Sequence, residues 1–177
     1  MAISTVNSHI ADAIHLQSQY DSAYLVIGKT SPWTDDNNPP EEDETVTVIS
    51  EIIGYKKVKK FSLARPLTAG ETAESIGYPV VTYAGQAWAL IPVDKAYAEK
   101  ARWVYVEAEI KPEDFPLGEY RQVGVHVGLI PNAGINKQNL DPTEVASAGL
   151  LRFYENKQPQ NRTSSVYALE QFMILVK

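Results

Sequence analysis

Residues 102–130, RWVYVEAEIKPEDFPLGEYRQVGVHVGLI, contain two runs of alternating side chains separated by a loop of prolines and acids. Alternation with a period of two is typical of a β-strand that buries one face. The apolar positions that share a face are Val104, Val106, Ala108 and Ile110 in the first run and Val123, Val125, Val127 and Leu129 in the second. The stretch therefore predicts two antiparallel strands, with Glu107 and Glu109 on a solvent-facing side.

More strands are predicted on either side of this pair. Short β-favouring runs bounded by Gly, Pro or polar residues lie at 23–27, 58–63, 80–83, 87–91, 150–154 and 172–176. The turn 84–86 predicts a hairpin between the third and fourth of them. Apolar residues at spacings of three and four predict a helix from a cap at Ser4 or Ser8 to about Tyr20, and a second, short helix over 46–53. The stretches 131–147 and 155–165 are predicted to be irregular.

These elements indicate an α+β fold, mainly antiparallel β and sandwich-like, with an N-terminal helix and long irregular loops. A chain of 177 residues buries about 70% of its unfolded surface. We therefore expect a single domain over 1–177, divided into an N-terminal helix with an acidic loop (1–45) and a β-rich body (46–177).

Composition narrows the classes of function. The chain has no cysteine, which excludes disulfides, thiolate metal sites and a cysteine nucleophile. It has no apolar run long enough to span a membrane, and its start lacks the pattern of a signal peptide. We thus expect a soluble protein made in a cytoplasm, without a membrane partner. A net charge of −6 argues against nucleic acid as a partner.

The negative charge is concentrated in residues 35–44, DDNNPPEEDE, which hold six acids and no base. Outside this loop, acids and bases are equal in number. The loop does not match a calcium-binding EF-hand, since Pro39 and Pro40 stand where a ligand and a glycine are needed; an irregular calcium site stays open. We expect a solvated or partner-facing anionic loop, stiffened by Pro32, Pro39 and Pro40. Whether Trp33 packs on its own core or on a partner is left open.

No standard catalytic motif for phosphate, dinucleotide, zinc or serine chemistry occurs, so we expect no enzyme, no metal and no cofactor. His126 lies on the face of its strand opposite the valines, and we expect it at an interface or at the surface. The bases cluster at Lys56, Lys57, Lys59, Lys60 and Arg65. They are expected to meet acids in a complementary contact, within the chain or between copies.

Four segments in order resemble the baseplate wedge proteins of contractile-tailed bacteriophages. They are AYLVIGKTSPWTDDNNPP (23–40), ISEIIGYKKVKKFSLARP (49–66), RWVYVEAEIKPEDFPLGEYRQVGVHVGLIP (102–131) and ENKQPQNRTSSVYALEQFMILVK (155–177). The resemblance covers nearly the whole chain, and the chain looks like a compact version of such a subunit. It implies a structural virion protein of the tail baseplate, made in the host bacterial cytoplasm, which assembles with other wedge proteins of the same phage; a homodimer stays open.

In this role the partner-binding residues are expected to be those of the acidic loop and one histidine. They are Pro32, Trp33, Asp35, Asp36, Pro39, Pro40, Glu42 and His126. Replacing Asp36 and Glu42 together by lysine is expected to weaken wedge assembly and to leave melting of the isolated fold nearly unchanged.

Two other functions are considered. A carbohydrate-binding β module would present Trp88 and Trp103 as a coplanar exposed row. A hydrolase would place His126 beside a carboxylate and a serine.

Overall fold

A computed structural model describes residues 2–177. The helices are α1 (Val6–Gln17) and α2 (Ala73–Ile76). The strands are β1 (Tyr24–Gly28), β2 (Gly54–Lys57), β3 (Lys60–Pro66), β4 (Val80–Tyr83), β5 (Gln86–Ile91), β6 (Trp103–Ile110), β7 (Gly118–Val127), β8 (Ile130–Pro131), β9 (Asn139–Leu140), β10 (Val145–Ser147), β11 (Leu150–Arg162) and β12 (Ala168–Leu175). Short 3₁₀ turns lie at Tyr20–Ser22, Val93–Lys95 and Pro142–Glu144. The predicted α+β class, mainly antiparallel with an N-terminal helix, is confirmed.

The chain divides into two compact units. Unit 1 takes 1–20, 59–107 and 171–177, and unit 2 takes 21–58 and 108–170. The acidic loop and the strands around it belong to unit 2, so the division does not follow the expected boundary near residue 45. That the whole of 1–177 behaves as one domain stays a prediction.

Unit 1 contains α1 and a sheet of order β12-β6-β3-β5-β4. Of β6 and β12, residues 103–107 and 171–175 belong to this unit. Helix α1 begins after Thr5, whose Oγ1 accepts a hydrogen bond from the Ser8 amide at 3.3 Å. Thr5 therefore replaces the predicted serine caps, and the helix ends at Gln17 rather than near Tyr20. Its Ile10, Ala13 and Leu16 are buried.

The predicted hairpin is present in unit 1 as β4 and β5. Its turn consists of Ala84 and Gly85, with φ of 48° and 76°, and Tyr83 pairs with Gln86 on either side. Two consecutive positive φ angles match the two-residue turn that follows the natural twist of a hairpin.

Unit 2 is built on a sheet of order β11-β7-β1-β2-β9. Strand β1 lies in the middle and is buried along its whole length, which fits its uninterrupted apolar sequence. A cluster of buried side chains packs around it, comprising Tyr24, Val26, Ile49, Tyr55, Leu129 and Leu140. Strands β8 and β10 form a separate two-stranded sheet.

The expectation that Glu107 of β6 lies on a solvent-facing side was wrong. In unit 1, Tyr105 is fully buried and Glu107 is 6% exposed. The Glu107 carboxylate is satisfied there, since it accepts a hydrogen bond from the Tyr105 hydroxyl at 2.6 Å and pairs with Lys60 Nζ at 3.0 Å. Polar residues of a strand can thus be buried when partners are supplied, and alternation alone does not reveal this.

Two irregular regions also differ from the predictions. The helix expected over 46–53 does not form, because this segment bonds to the end of β1 instead: Lys29 N donates to Ser50 O at 2.7 Å and Ile53 N to Ile27 O at 2.9 Å. The predicted irregular stretch at 155–165 is strand as far as Arg162. Its Pro159 is tolerated because β11 lies at the sheet edge and its register shifts between 156 and 160.

Candidate partner-binding surface

Residues 31–44, here called the arm, follow β1 in unit 2 and carry all six acids of the acidic loop. Strand β11 ends the sheet, so one of its edges faces away from β7. The arm lies along this outer edge, in contact with residues 154–158 of β11. The arm is docked on its own chain along one side, and whether its other side faces solvent or a partner, as expected from the sequence, stays a prediction.

The strongest attachment of the arm is the ion pair between Asp36 and Arg121 of β7. The two carboxylate oxygens of Asp36 accept hydrogen bonds from Nε and one terminal nitrogen of Arg121, both at 2.8 Å. Arg121 is 2% exposed, and it also donates to Thr30 O at 2.8 Å and to Glu119 Oε2 at 2.7 Å. These hydrogen bonds from Arg121 hold the pKa of Asp36 below its usual value. A planar guanidinium is well suited to such two-point binding.

Trp33 packs on its own chain, which resolves the alternative that the sequence left open. Its indole Nε1 donates to Lys157 O of β11 at 2.9 Å. Its backbone amide donates to Asp36 Oδ1 at 2.8 Å, and Lys29 Nζ lies 5.2 Å from the ring centroid. The half-buried ring therefore fixes the first turn of the arm rather than projecting towards solvent.

The second half of the arm is held by polar side chains of β11. Asn156 donates from Nδ2 to Pro40 O and from its backbone amide to Glu42 Oε1, both at 2.9 Å. The Tyr154 hydroxyl accepts from Asp43 N at 2.5 Å and donates to Asp43 O at 3.0 Å. Main-chain groups of an edge strand that would otherwise be open are covered in this way.

The base of the arm is fixed by Glu51. Its carboxylate accepts hydrogen bonds from the hydroxyl and the amide of Ser31 at 2.6 and 2.7 Å and from the Thr30 hydroxyl at 3.0 Å. The hydrogen bonds from Ser31 lower the pKa of Glu51 to about 2. Glu51 is therefore charged at all ordinary pH values. Its hydrogen bonds with Ser31 hold the two ends of the 31–51 segment together.

The outer side of the arm stays exposed and anionic. Asp35 is exposed and closes a local turn by accepting from the Asn38 side chain and the Asn37 amide, which lowers its pKa. Pro32 and Pro40 are exposed, Pro39 is half-buried, and the acids from Glu41 to Glu44 are exposed. Among residues 2–177, Asp36 is the one arm acid in an ion pair, so five carboxylates remain on the surface.

His126 is not available to a partner, and its expected place at an interface or surface was wrong. It is 3% exposed in unit 2, its Nδ1 lies 2.9 Å from Ala148 O, and its ring meets the edge of Tyr55 at 5.5 Å between centroids. Strand β11 lies beside β7 in the sheet, where Leu151 pairs with His126. Burial lowers the pKa of His126.

Gly124, on the same face of β7, explains how β11 comes so close. A Cβ built there would lie 2.8 Å from Leu151 Cδ1 and 3.0 Å from Phe153 O. The absence of a side chain at Gly124 therefore leaves room for Leu151 and the main chain of β11.

The basic cluster does not pair with the arm. In unit 2, Lys56 Nζ lies 2.6 Å from Asp114. In unit 1, Arg65 binds Glu71 at 2.7 Å and Glu99 at 2.8 Å. The expected acid–base contact within the chain exists, but the cation that holds the arm is Arg121. Sequence reasoning missed Arg121, because nothing in the chain signals a pair 85 residues apart.

The structure bears on a metal site, a membrane-spanning helix and an exposed row of tryptophans. Within the described residues no group of three or more His, Asp or Glu could hold a metal ion, and no helix there is long and apolar enough to cross a membrane. Trp88 is 6% exposed, and its ring is inclined at 64° to that of Trp103. These two rings do not form the coplanar exposed row that sugar stacking would need.

Comparisons with known proteins identify the family. Residues 1–176 match the family model described as "Baseplate wedge 3 tail fiber network component". The chain is also 46% identical over 177 residues to "Virion protein 3" of Enterococcus phage phiEF24C, an alignment that spans 100% of this chain and 96% of that protein. Both findings confirm the resemblance read from the four sequence segments. The chain belongs to the baseplate wedge 3 tail fiber network component family.

Proposed function

We propose that this chain is a structural protein of the phage virion, which works in the tail baseplate by assembling with other baseplate proteins and performs no chemical turnover. The observation that carries this proposal is the family match along residues 1–176. The relative from phage phiEF24C, described as a virion protein, supports the location. The chain is synthesised in the host cytoplasm and then incorporated, and it helps hold the baseplate before contraction and passes the rearrangement on to the sheath.

The outer side of the arm is the surface that meets a neighbouring baseplate protein. Support comes from its rigidity: Trp33, Asp36 and Glu42 are tied to β7 and β11, so little further ordering is needed on binding. Support also comes from charge, because the unpaired arm acids leave an anionic surface. Such a surface attracts a basic patch on a partner and orients it.

The role in the virion is tested by deleting the gene. A phage that lacks this chain should yield no particles with a complete baseplate, and a plasmid copy should restore them. Mass spectrometry of purified virions should find the chain in the wild type. Clear virions of otherwise normal composition from the deletion phage would contradict the proposal.

The arm surface is tested by reversing charges that the fold does not use. Glu41→Lys with Glu44→Lys should weaken association with the neighbouring baseplate proteins by about tenfold at low salt, because two exposed carboxylates are lost from the surface. The measurement is the yield of wedge complex on co-expression, with melting of the isolated chain as a check on folding.

The matched control reverses two exposed acids elsewhere, Asp12→Lys with Glu113→Lys, which changes the net charge by the same amount. This control should assemble as the wild type does. Equal losses in both double variants would mean that net charge matters and that the arm is not the docking surface.

A further inference from the structure

The free edges of the two five-stranded sheets are treated differently by the fold. In unit 2 the outer edge of β11 is covered by the arm, and at the other end of that sheet β9 is only two residues long. In unit 1 the sheet ends at β12 and at β4, and no strand within residues 2–177 pairs with the outer edge of either. Of these two edge strands, β12 contains a charged residue, Glu170, and β4 contains none. Strand β4 is thus left open where β11 is not.

The hairpin register shows which main-chain groups of β4 point outward. In a hairpin with a two-residue turn, the pair next to the turn exchanges hydrogen bonds and the following pairs alternate. Tyr83 and Val81 therefore bond to β5, and the donation from Leu90 N to Pro79 O at 2.8 Å continues this series. The N–H and C=O groups of Val80 and Thr82 face away from β5, so four main-chain groups are free to bind another strand.

The residues around this edge are uncharged. No charged residue occurs from Ile76 to Pro92, whereas open edges in natural proteins are usually protected by lysine or another charge. Thr82 is exposed, and the other three residues of β4 are half-buried. An open groove of about 490 Å³ adjoins the start of the strand and is lined by Tyr78, Pro79, Ile91 and Pro92 among other uncharged residues. A charged segment would lose hydration here without gaining a partner.

We propose that the outer edge of β4 receives an extended, uncharged segment of another baseplate protein, which adds to the sheet as its next strand. The proposal rests on the assembly function proposed above and names a second docking site, in unit 1, for it. The outward main-chain groups of Val80 and Thr82 can hydrogen-bond to an extended strand. The absence of charged residues around them favours a segment that is itself uncharged.

A second copy of this chain does not suit the site. Pairing between two copies of β4 would join strands of only four residues, and such a contact buries far less than the roughly 1,200 Å² that a stable interface needs. A neighbour that is already held at other surfaces does not need this area, because its segment is presented at a high effective concentration. The edge is therefore filled during assembly, and the isolated chain remains a monomer.

The test removes one outward donor. Thr82→Pro deletes the N–H that faces away from β5 and leaves the β4–β5 hydrogen bonds intact, whereas Thr82→Ser keeps the donor and serves as the control. Plasmid copies are supplied to the phage that lacks the gene, and the amount of chain in purified virions is measured by mass spectrometry. Thr82→Pro should lower incorporation at least about fivefold, and Thr82→Ser should not change it.

A second variant and a second measurement guard against misfolding. Thr82→Lys keeps the backbone and adds the protective charge that the edge lacks, and it should lower incorporation as well. Hydrogen exchange should find the amides of Val80 and Thr82 fast in the isolated wild-type chain and protected in purified baseplates, with Val81 and Tyr83 protected in both.

The possible outcomes distinguish the β4 proposal from the assembly function proposed above. If wild-type chain is absent from virions, the assembly function fails. If it is present but the Thr82 variants are incorporated normally, or the amides of Val80 and Thr82 exchange rapidly in baseplates, the β4 proposal is overturned and the assembly function stands. A photoreactive cross-linker at position 82 that joins two copies of this chain would overturn it too.

Discussion

Arg121 carries a charge with almost no contact to solvent, and this explains why the arm is held in place. Its guanidinium uses Asp36, Glu119 and Thr30 O, and the arm supplies the first of these partners. A buried cation that loses a partner keeps the cost of its burial. The attachment of the arm therefore depends in part on one buried residue of β7.

Asp36→Ala should lower the stability of the isolated chain, because Arg121 would keep only the more exposed Glu119 as a counter-charge. The midpoint of denaturant unfolding measures this, and Asp35→Ala is the control, since Asp35 bonds only within its own turn. Because the folded pKa of Asp36 is lowered, its contribution is complete above the usual value of 3.8 and is lost as the pH falls through the folded pKa.

The same pair corrects an expectation made from the sequence. Asp36→Lys with Glu42→Lys was expected to leave melting nearly unchanged, but a lysine at 36 would face the buried Arg121. That double variant is expected to melt at a lower temperature, so it cannot separate docking from folding. Glu41 and Glu44, which the fold leaves unpaired, are the better positions.

His126 should make the stability of the protein depend on pH near neutrality. Burial lowers its folded pKa below the usual 6.5, so the unfolded chain binds the proton more readily. Stability is therefore fully present above pH 6.5 and decreases as the pH falls towards the folded pKa. Melting temperatures between pH 7.5 and 5 should show this decrease in the wild type.

His126→Gln removes the titrating group and retains a polar side chain. In this variant the melting temperature should change less over the same pH range, whatever its absolute value. An unchanged pH dependence would mean that another group is responsible.

Among the elements, the β4–β5 hairpin shows how a turn limits stability. Ala84 has a φ of 48°, a left-handed conformation that costs an alanine more than an asparagine or glycine. The preferred residues for this turn type are Asn-Gly, and the chain already has the glycine.

Ala84→Asn should therefore stabilise the protein by about 0.5 to 1 kcal/mol. Chemical denaturation measures the change. Gly85→Ala is the opposite test, since it places a side chain at a φ of 76°, and it should destabilise the protein. A loss of stability in Ala84→Asn would contradict the assigned turn.

The elements that the sequence predicted correctly share a local cause. The apolar run of β1, the hairpin turn at Gly85 and the spacing of Ile10 and Ala13 in α1 each depend on neighbours within a few residues. The failures depend on distant contacts. The apolar residues at 46–53 meet the end of β1 rather than forming a helix, and β11 continues past Pro159 because β7 and the arm flank it.

The candidate surface was predicted in part for the same reason. A loop with six acids and three nearby prolines is visible in the sequence, but which acids are used by the fold is not. Asp36 and Glu42 find their partners at Arg121 and Asn156, on strands far along the chain. Of the residues expected to bind a partner, the prolines and Asp35 keep an accessible surface, whereas Trp33 and Asp36 mainly hold the arm.

The net charge of −6 is unevenly distributed over the molecule. The body uses many of its charges in internal pairs such as Lys56–Asp114 and Arg65–Glu71. The arm receives one cation from the body and keeps five acids on its surface. The excess negative charge is thus localised, and its effect on association should weaken as salt is added.

The open edge of β4 also bears on the life of the protein before it enters a virion. An uncharged open strand can template aggregation when no other chain covers it. We therefore expect the isolated protein to aggregate more readily at high concentration than the same protein with its neighbours bound. Residues 80–83 would then set how concentrated the free protein can become.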